Sequence, residues 1–490
     1  MAKTNGSNTP LLSIFWGPFI ALILVFTTLI LKTNTPIWPA IAVTFWTLTW
    51  WLQNRIPIAI TSLIPLVWLT AFKIIPLQDA IALYYSPIIL LFLGGFLLGL
   101  MLEKWNIHER IAIGILKKSG NSPASIILGV MLASYIISMW ISNTATAIMM
   151  LPIVMSIFKV LDNLVERELS KKMAYGALLG VAYGANIGGI ATVIGTPPNL
   201  VLKAYLEKIY DSSPNFLEWM LIGIPFSLLL LGLVYLLFSK ILFRLPNQPV
   251  PNIQQYIQQR TIQMGKVSTP QKRALFIFSG AALFWITSDL LNLIIPVIPF
   301  LKTSSWRFTD TNIALLFAFV AFVTPSGSPF SARLLTPTIY KKVSWSILLM
   351  FGGGMTLAKG LSNAGILSYI ETLSASIPPH AWLLLCTVLI IMSVFLTEIM
   401  SNVALITILI PVVLSLSDSM GFVSPLIMSI PVTLAASLAF MMPISTPPNA
   451  VVFSSKMIPL HTMIKTGIGL NIISVFLLIL LSVILHYFYA

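Results

Sequence analysis

The sequence predicts an all-α protein that crosses a membrane many times, and three observations lead to this fold class. Of the 490 residues, 57% are hydrophobic and only 9% are charged, whereas a soluble domain carries roughly a quarter charged residues. The mean hydropathy is +0.95. Apolar stretches close to the span length of about 20 residues recur along the whole chain. This composition excludes a soluble enzyme, a disordered chain and a secreted disulfide scaffold.

The charged and metal-ligating residues narrow the functional class. Lys and Arg number 28 against 14 Asp and Glu, which gives a net charge of +14. In a soluble protein this excess would suggest nucleic acid, but in a membrane protein Lys and Arg concentrate in cytoplasmic loops. The single cysteine, Cys386, excludes a disulfide within the chain, and four scattered histidines do not suggest a metal or haem centre. We therefore expect no nucleic-acid partner and no cofactor.

The apolar stretches give the predicted helices in order. The first stretch is followed by no small-residue cleavage site, so we interpret it as a retained helix rather than a signal peptide. The predicted segments are Ser13–Leu31, Trp38–Leu52, Ile58–Phe72, Pro87–Leu102, Ala124–Ile141, Ala145–Phe158, Ala174–Ile194, Phe216–Phe238, Ala274–Ile295, Asn312–Val323, Val343–Ala358, Ala381–Ile399, Ala404–Leu416, Pro425–Met442 and Thr466–Tyr489. The polar stretch Lys240–Arg273, which contains several Pro and Gln, is predicted to be a cytoplasmic linker or surface arm.

Two pairs of these segments are interrupted by a polar tripeptide and are predicted to be re-entrant hairpins. The first pair meets at Ser142-Asn143-Thr144 and has Lys residues on both flanks, so both of its ends are placed in the cytoplasm. The second pair meets at Ser401-Asn402-Val403, and no Lys or Arg occurs between Gly360 and Ser455, so its ends are placed outside. About eleven full spans remain. The N-terminus is then cytoplasmic and the C-terminus extracellular, with most basic residues inside.

The two halves of the chain repeat three motifs in the same order. Leu93–Phe96 matches Phe351–Gly354, the two interrupted hairpins match each other, and Gly195–Asn199 matches Ser445–Asn449, at offsets of 258, 259 and 250 residues. Because the hairpins have opposite orientation, the repeat is of the inverted-topology kind. Such repeats are common in secondary transporters, and their broken helices mark a binding site near the membrane midplane.

The repeated motifs suit an anion together with a small cation. The paired prolines of each Thr-Pro-Pro-Asn motif should break a helix, and the preceding Thr196 or Thr446 is a favourable N-cap for a new one. With the two hairpin tips this gives four helix N-termini, whose N–H groups and positive dipole ends favour an anion. Carbonyl oxygens of the preceding half-helices suit Na⁺. A single motif could equally serve only to join helices, but its ordered duplication favours a binding site.

Glu398 is an acidic residue well inside apolar sequence, three residues before the second tip. Intramembrane ionisable groups are functional candidates. Two interpretations remain open from sequence: the carboxylate influences cation binding, or it is a buried hydrogen-bonded group that fixes the hairpin.

The paired motifs resemble those of the divalent anion:sodium symporter family, which includes dicarboxylate and citrate carriers and plastid-type dicarboxylate translocators. The resemblance covers nearly the whole chain. It implies a homodimer in the plasma membrane that works by an elevator mechanism. The substrate positions that it implies are Asn143, Thr144, Thr196, Pro197, Asn402, Val403, Thr446 and Pro447. The implied first sodium site comprises Ser138, Ser142, Asn143 and Gly195. The implied second sodium site comprises Thr397, Met400, Asn402 and Ser445, largely through backbone carbonyls.

The same resemblance implies a division into scaffold and transport units. The scaffold comprises residues 1–85 and 216–342, which include the cytoplasmic linker 240–273. The transport unit comprises the first repeat core, 86–215, and the second, 343–463. Residues 464–490 form a C-terminal transmembrane helix.

One position departs from the family pattern, because Val403 stands where the second tripeptide would have Thr. Valine has the shape of threonine without the hydroxyl, so one hydrogen bond to a carboxylate is lost, worth about 1.5–3 kcal/mol if it is charge-assisted. This change could favour a longer or less symmetric dicarboxylate such as 2-oxoglutarate.

The sequence therefore predicts a secondary transporter of C4–C5 dicarboxylates (succinate, malate, fumarate, 2-oxoglutarate) rather than an enzyme. Coupling to Na⁺ and obligatory exchange of dicarboxylates both remain open. A carrier for citrate, sulfate or arsenite is an alternative. An anion channel is a further one, although channel filters commonly carry charged rings and the repeated motifs carry none.

Overall fold

The protein is built almost entirely from helices, as the composition predicted. A computed structural model describes residues 14–30, 35–53, 55–161, 166–246, 248–250, 253–294, 307–366, 368–369, 372 and 378–489. Both chain ends, and the predicted segment limits at Ser13, Leu31 and Ile295, lie outside these ranges.

The first half of the chain contains the elements that carry the first hairpin and the first broken helix. The helices are α1 (Trp16–Ile30), α2 (Ile37–Gln53), α3 (Ile58–Thr61), α4 (Ile64–Ala71), α5 (Leu77–Tyr84), α6 (Pro87–Lys104), α7 (Ile107–Ser119), α8 (Pro123–Ser138), α9 (Asn143–Leu161), α10 (Arg167–Gly189), α11 (Pro197–Tyr210) and α12 (Phe216–Leu236). A π-helical turn, Leu237–Leu242, extends α12.

The second half of the chain contains the elements that carry the second hairpin and the second broken helix. Its elements are α13 (Ile253–Gln263), α14 (Thr269–Ile294), α15 (Asp310–Val323), β1 (Pro325–Ser328), β2 (Ser331–Arg333), a 3₁₀-helix (Pro337–Lys342), α16 (Trp345–Asn363), α17 (Trp382–Leu396), α18 (Asn402–Ser419), α19 (Leu426–Ala435), α20 (Pro447–Phe453) and α21 (Leu460–Tyr489). The two strands form an antiparallel hairpin.

Several helices have the length and composition of membrane spans. Among the described residues, five segments are long and apolar enough to cross a bilayer: Leu77–Lys104, Phe216–Leu242, Thr269–Ile294, Asn402–Ser419 and Leu460–Tyr489. Shorter apolar helices accompany them, α8, α9 and α17 among them. The count of eleven spans stays a prediction.

The segment Ile58–Phe72, which we predicted to be one helix, is two helices. Helix α3 ends at Thr61 and α4 begins at Ile64, with Pro65 in its first turn. Proline cannot donate to the preceding turn and clashes with it, so the helix breaks just before this residue. The Tyr84 hydroxyl donates to the freed carbonyl of Ser62 at 2.5 Å, which compensates for the break.

The polar stretch 240–273, predicted to be a linker or surface arm, contains a packed helix. Helix α13 lies within it and packs on α7 and α9. Ile257 on this helix is buried, and the Arg260 guanidinium lies 3.4 Å from the Glu109 carboxylate of α7. The sequence did not predict this helix, because a mostly polar helix with a few buried residues has a weak apolar period.

Helix α7 was also missed, because only one of its faces is apolar. It buries Ile107, Ala112, Ile113 and Leu116, while Lys117 and Lys118 in its last turn are exposed. It packs mainly on α8 and so supports the first hairpin.

The broken helix of each repeat packs on the hairpin of the other repeat. Helix α11, which follows the first Thr-Pro-Pro-Asn motif, packs on α18 of the second hairpin, and α20, which follows the second motif, packs on α9 of the first hairpin. This reciprocal packing places each broken helix against the hairpin of the other repeat.

Candidate functional site

The two hairpin tips have the same local structure. Helix α9 begins at Asn143 and α18 begins at Asn402, as the motifs predicted. The Ser138 hydroxyl donates to Asn143 Oδ1 at 2.7 Å, and the Thr397 hydroxyl donates to Asn402 Oδ1 at 2.8 Å. Each asparagine oxygen is therefore held by a hydroxyl five residues earlier, whereas its amide NH₂ group makes no hydrogen bond to the part of the chain that the structure describes.

The two broken helices are held open in the same way. Between α10 and α11, Asn199 Nδ2 donates to the carbonyls of Gly189 at 3.3 Å and Thr192 at 2.8 Å. Between α19 and α20, Asn449 Nδ2 donates to the carbonyls of Ala439 and Met442, both at 3.1 Å. In both repeats the acceptors lie ten and seven residues before the asparagine, so the last residue of each Thr-Pro-Pro-Asn motif fixes the non-helical segment before it.

These two asparagines were not among the predicted site residues. Both are fully buried. Their recurrence at the same place in the duplicated motif was the sequence signal that could have identified them. Side-chain amides that satisfy carbonyls released at a helix break are what a buried non-helical segment requires.

Each tip is bound to the broken helix of its own repeat. The Thr192 hydroxyl donates to the Met139 carbonyl at 2.6 Å, and the Thr397 hydroxyl donates to the Ala436 carbonyl at 2.6 Å. In the first repeat the backbone at Gly189 also lies so close to the Asn143 side chain that a larger residue would not fit. A Cβ added at Gly189 would lie 2.5 Å from Asn143 Oδ1.

The predicted first sodium set is partly assembled. Ser138 and Asn143 are hydrogen-bonded, and a Cβ at Gly195 would lie 2.5 Å from the carbonyl oxygen of Gly189, which itself contacts Asn143. The Ser142 hydroxyl accepts from the Ala145 N–H at 3.3 Å at the start of α9. Hydroxyl, amide and carbonyl oxygens of this kind suit a small hard cation.

The predicted second sodium set is divided between tip and broken helix. Thr397 and Asn402 are hydrogen-bonded at the tip. Ser445 lies on the segment before α20, where its hydroxyl donates to the Met442 carbonyl at 2.6 Å and accepts from Asn449 Nδ2 at 3.0 Å. Met400 directly precedes the second tip, and its N–H donates to the Leu396 carbonyl at 3.1 Å.

The predicted substrate residues differ in burial. Thr196, Thr446 and Val403 are buried, Asn143, Thr144, Asn402 and Pro197 are half-buried, and Pro447 is exposed. Thr446 caps its helix, since its hydroxyl accepts from the Asn449 N–H at 3.4 Å, whereas Thr196 makes no such side-chain bond. Within the described residues, no hydrogen bond joins the first tip directly to the second.

Asn186 and Tyr183 of α10 connect the two repeats. Asn186 Nδ2 lies 3.2 Å from Thr446 Oγ1 and 3.3 Å from the Ala439 carbonyl. The Tyr183 hydroxyl donates to the Phe440 carbonyl at 2.7 Å. The sequence predicts neither contact, because a polar residue in a continuous helix carries no mark of the distant segment that it contacts.

Glu398 is a hydrogen-bond acceptor that holds the second broken helix. Its carboxylate accepts from the N–H groups of Phe440 at 2.8 Å, Met441 at 3.0 Å and Met442 at 3.1 Å. Asn471 of α21 donates to it at 2.8 Å. Four N–H groups occupy the acceptor sites that two carboxylate oxygens offer. This geometry favours the second of the two interpretations, a buried group that fixes the hairpin.

Charged side chains form two separate hydrogen-bonded groups. Lys203 of α11 is buried with its ammonium 3.2 Å from Asp310 and 3.5 Å from Glu207, and Asn215 donates to Asp289 at 2.6 Å. Lys104 and Arg273 instead donate to backbone carbonyls of the β1–β2 region, at Leu334 and Pro325. The sidedness of these groups in the membrane stays a prediction.

Comparison with known proteins gives a consistent family. A family model described as a citrate transporter (CitMHS) matches residues 43–430. The sodium-dependent dicarboxylate transporter SdcS of Staphylococcus saprophyticus is 33% identical over 449 residues, which are 90% of this chain and 84% of that protein. SdcS of Staphylococcus aureus strain MRSA252 is 34% identical over 490 residues, 98% of this chain and 91% of that protein.

The fold has a counterpart in a solved structure. The crystal structure of the Alcanivorax borkumensis YdaH transporter matches with a TM-score of 0.53 over 81% of this chain and 85% of that chain, at 15% sequence identity. The fold and the matches together define a multi-pass integral membrane transporter. The chain belongs to the CitMHS citrate-transporter family and, as its paired motifs indicated, to the divalent anion:sodium symporters.

Proposed function

We propose that the protein is a secondary active transporter of C4–C5 dicarboxylates coupled to Na⁺. The observation that carries the proposal is the duplicated arrangement of a hairpin asparagine, with its oxygen held and its amide donors available, beside a broken helix. The names of the SdcS relatives, which are sodium-dependent dicarboxylate transporters, support both the substrate class and the ion.

In this proposal the two substrate carboxylates bind at the two tips. Asn143 and Thr144 receive one carboxylate at the N-terminus of α9, and Asn402 receives the other at the N-terminus of α18. Charge-assisted hydrogen bonds to N–H donors are stronger than neutral ones, and the helix dipoles favour the negative charge. Thr196, Pro197, Thr446 and Pro447 line the site from the broken helices, while Val403 contributes only an apolar contact.

Sodium ions are the co-transported cations. Ser138, Ser142, Asn143 and the Gly195 carbonyl bind one ion, and Thr397, Asn402, Ser445 and the Met400 carbonyl bind the second. Because each tip asparagine belongs to both a sodium set and the substrate set, bound Na⁺ orients the amide that receives the carboxylate. This shared residue is the physical basis of coupling in the proposal.

Transport then proceeds by alternating access through an elevator movement in a homodimer. The hairpins and broken helices of residues 86–215 and 343–463 move as the transport unit against the scaffold of residues 1–85 and 216–342. The C-terminal helix, residues 464–490, is a transmembrane helix that ends outside, and the N-terminus is cytoplasmic.

Uptake into proteoliposomes tests the proposal. Labelled succinate, malate, fumarate and 2-oxoglutarate are offered with an inward Na⁺ gradient, with K⁺ in its place, or with unlabelled dicarboxylate inside. Na⁺-driven, saturable accumulation is expected. Uptake that requires internal dicarboxylate and ignores Na⁺ would instead establish exchange.

Two alternatives are separated by the same vesicles. The citrate description of the matching family favours citrate as a second candidate substrate, and competition by citrate, sulfate or arsenite reveals it. A channel would give a flux that grows linearly with concentration and shows no counterflow.

A further inference from the structure

The β-hairpin that follows α15 presents an uncovered aromatic side chain. Pro325–Ser328 pairs with Ser331–Arg333, and Phe330 at the tip is 93% exposed. No other large apolar side chain among the described residues is as exposed. An isolated two-stranded hairpin is marginally stable in water, so its conformation must be maintained by the rest of the molecule.

Basic side chains hold the hairpin at a fixed position. Lys104 at the end of α6 donates to the Ser331 hydroxyl at 2.9 Å and to the Leu334 carbonyl at 3.0 Å. Arg273 of α14 donates to the Pro325 carbonyl at 2.6 Å. Leu334 at the base of the hairpin is fully buried. The place of Phe330 is therefore determined by the two helices and not by a loose loop.

Aromatic residues with one polar end occur at the base of the hairpin and in the segment that follows it. Trp105 Nε1 donates to the Leu334 carbonyl at 3.1 Å. Trp345, which is 47% exposed, donates to the carbonyl of Tyr340, which is 54% exposed. Trp and Tyr with one apolar and one polar end are enriched at the headgroup level of membranes.

The charge around the hairpin selects the kind of lipid. Arg333 of β2 is exposed, as are Lys341 and Lys342 of the following 3₁₀-helix, with the Lys342 ammonium 3.4 Å from the Glu103 carboxylate. Lys104 and Arg273 lie at the base of the hairpin. Juxtamembrane clusters of Lys and Arg attract anionic headgroups within about a Debye length of the surface. A neutral lipid surface would carry no negative charge to pair with these side chains.

We propose that this hairpin is an interfacial anchor that inserts Phe330 at the headgroup–acyl boundary and binds anionic phospholipid through the adjacent cations. An exposed apolar side chain gains by leaving water, and the surrounding charges orient the hairpin toward one leaflet. The proposal is independent of the substrate and of the coupling ion.

Site-directed fluorescence tests the insertion. The one native cysteine, Cys386, is fully buried, so a Phe330→Cys variant can be labelled at the introduced thiol with a polarity-sensitive fluorophore. In vesicles that contain phosphatidylglycerol with a spin label near the top of its acyl chain, quenching at position 330 should be several-fold stronger than at a control label on the exposed Gln258→Cys. Equal quenching at both positions, or a blue-shifted label that lipid does not quench because protein covers it, would overturn the proposal.

Thermal unfolding tests the lipid charge. Phosphatidylglycerol should raise the Tm of the wild-type protein relative to phosphatidylcholine, and this shift should shrink in Phe330→Ser and in the double variant Lys341→Gln/Lys342→Gln. A matched double variant of the exposed pair on α10, Lys171→Gln/Lys172→Gln, removes the same charge elsewhere and should retain the shift. An unchanged shift in both hairpin variants would overturn the anionic-lipid part of the proposal.

Discussion

At the scale of single residues, the four asparagines of the duplicated motifs divide into two kinds. Asn143 and Asn402 use their oxygens to accept hydroxyls and keep their NH₂ groups available. Asn199 and Asn449 use their NH₂ groups on backbone carbonyls. In the proposed function the first pair therefore donates to the substrate carboxylates, whereas the second pair is part of the framework.

The proposed carboxylate contacts predict the result of removing either tip amide. Asn143→Ala and Asn402→Ala should each reduce dicarboxylate affinity by about 10- to 100-fold, because a hydrogen bond to a charged group is worth about 1.5–3 kcal/mol. Loss of the sodium contact should reduce uptake further. Proteoliposome uptake measures this effect, with the exposed Asn312→Ala of α15 as a matched control that should transport normally. Near-normal uptake in both tip variants would disprove the site assignment.

The departure at Val403 predicts a change in substrate preference. Val403→Thr restores a hydroxyl at the second tip and should strengthen succinate binding relative to 2-oxoglutarate by about tenfold, from one added hydrogen bond. The reciprocal change, Thr144→Val, should weaken succinate binding. Competition between the two substrates for uptake measures the ratio. An unaltered ratio, accompanied by the lower stability expected of a buried unpaired hydroxyl, would count against this role for position 403.

At the scale of the elements, the non-helical segments before α11 and α20 are held by side chains rather than by regular backbone bonds. Asn199 Nδ2 donates to two carbonyls, and Asn449 Nδ2 shares its two hydrogens among two carbonyls and the Ser445 hydroxyl. Glu398 additionally binds three backbone N–H groups of the second segment. The second broken helix is therefore the more heavily supported of the two.

This difference predicts unequal effects of two equivalent substitutions. Asn199→Ala and Asn449→Ala should each destabilise the protein by about 1–3 kcal/mol through unpaired buried carbonyls, with the larger loss for Asn449→Ala. Thermal unfolding in detergent measures both. Asn292→Ala, which removes an amide that bonds to Phe308 outside the broken helices, serves as a control for loss of an ordinary pair. Equal, negligible losses in both motif variants would mean that the segments do not depend on these amides.

Helix α7 gives a prediction about pH. Burial lowers the pKa of His108 below its ordinary value, with smaller opposing effects from Glu103 and Glu109. The unfolded chain therefore takes up the proton first, and stability should fall as the pH drops below about 6.5. Melting curves recorded from about pH 8 to about pH 5 should show a smaller loss of stability in His108→Gln than in the wild type. An identical pH profile in the variant would exclude His108 as the source.

At the scale of the whole molecule, a buried ion pair joins α11 of the first repeat to α15. The Lys203 ammonium and the Asp310 carboxylate are 3.2 Å apart, with side chains 6% and 8% exposed. Lys203 also donates to Ser213 and to the Pro214 carbonyl. In the proposed division this contact lies between the transport unit and the scaffold.

The pair predicts a non-additive pattern of stability. Lys203→Met leaves the Asp310 charge buried without its cation and should cost about 3–5 kcal/mol. Asp310→Asn should cost less, since Lys203 keeps Glu207 at 3.5 Å. The double variant should recover part of the loss, because both buried charges are gone. Unfolding temperatures of the four proteins form the thermodynamic cycle, and strictly additive losses would show that the two charges do not interact.

The sites of helix interruption were predictable because their causes are local. Consecutive prolines stop a helix wherever they occur, and the structure begins α11 at Pro197 and α20 at Pro447 as predicted. The Ser-Asn tips begin α9 and α18 for similar reasons of capping chemistry. The break before Pro65 was not predicted, although its cause is equally local, because the apolar stretch from Ile58 to Phe72 continues on both sides of it.

The sequence by itself determined the membrane class, the duplicated motifs and the positions of the tips and broken helices, because composition, prolines and capping residues act over a few neighbouring residues. Only the tertiary structure decided that the broken helix of each repeat packs on the hairpin of the other repeat. It brought Asn186 to Thr446 and assigned Glu398 to the backbone of residues 440–442. Hydrogen bonds between residues far apart in the chain depend on how the helices pack, and no pattern within one helix encodes a partner that lies on another.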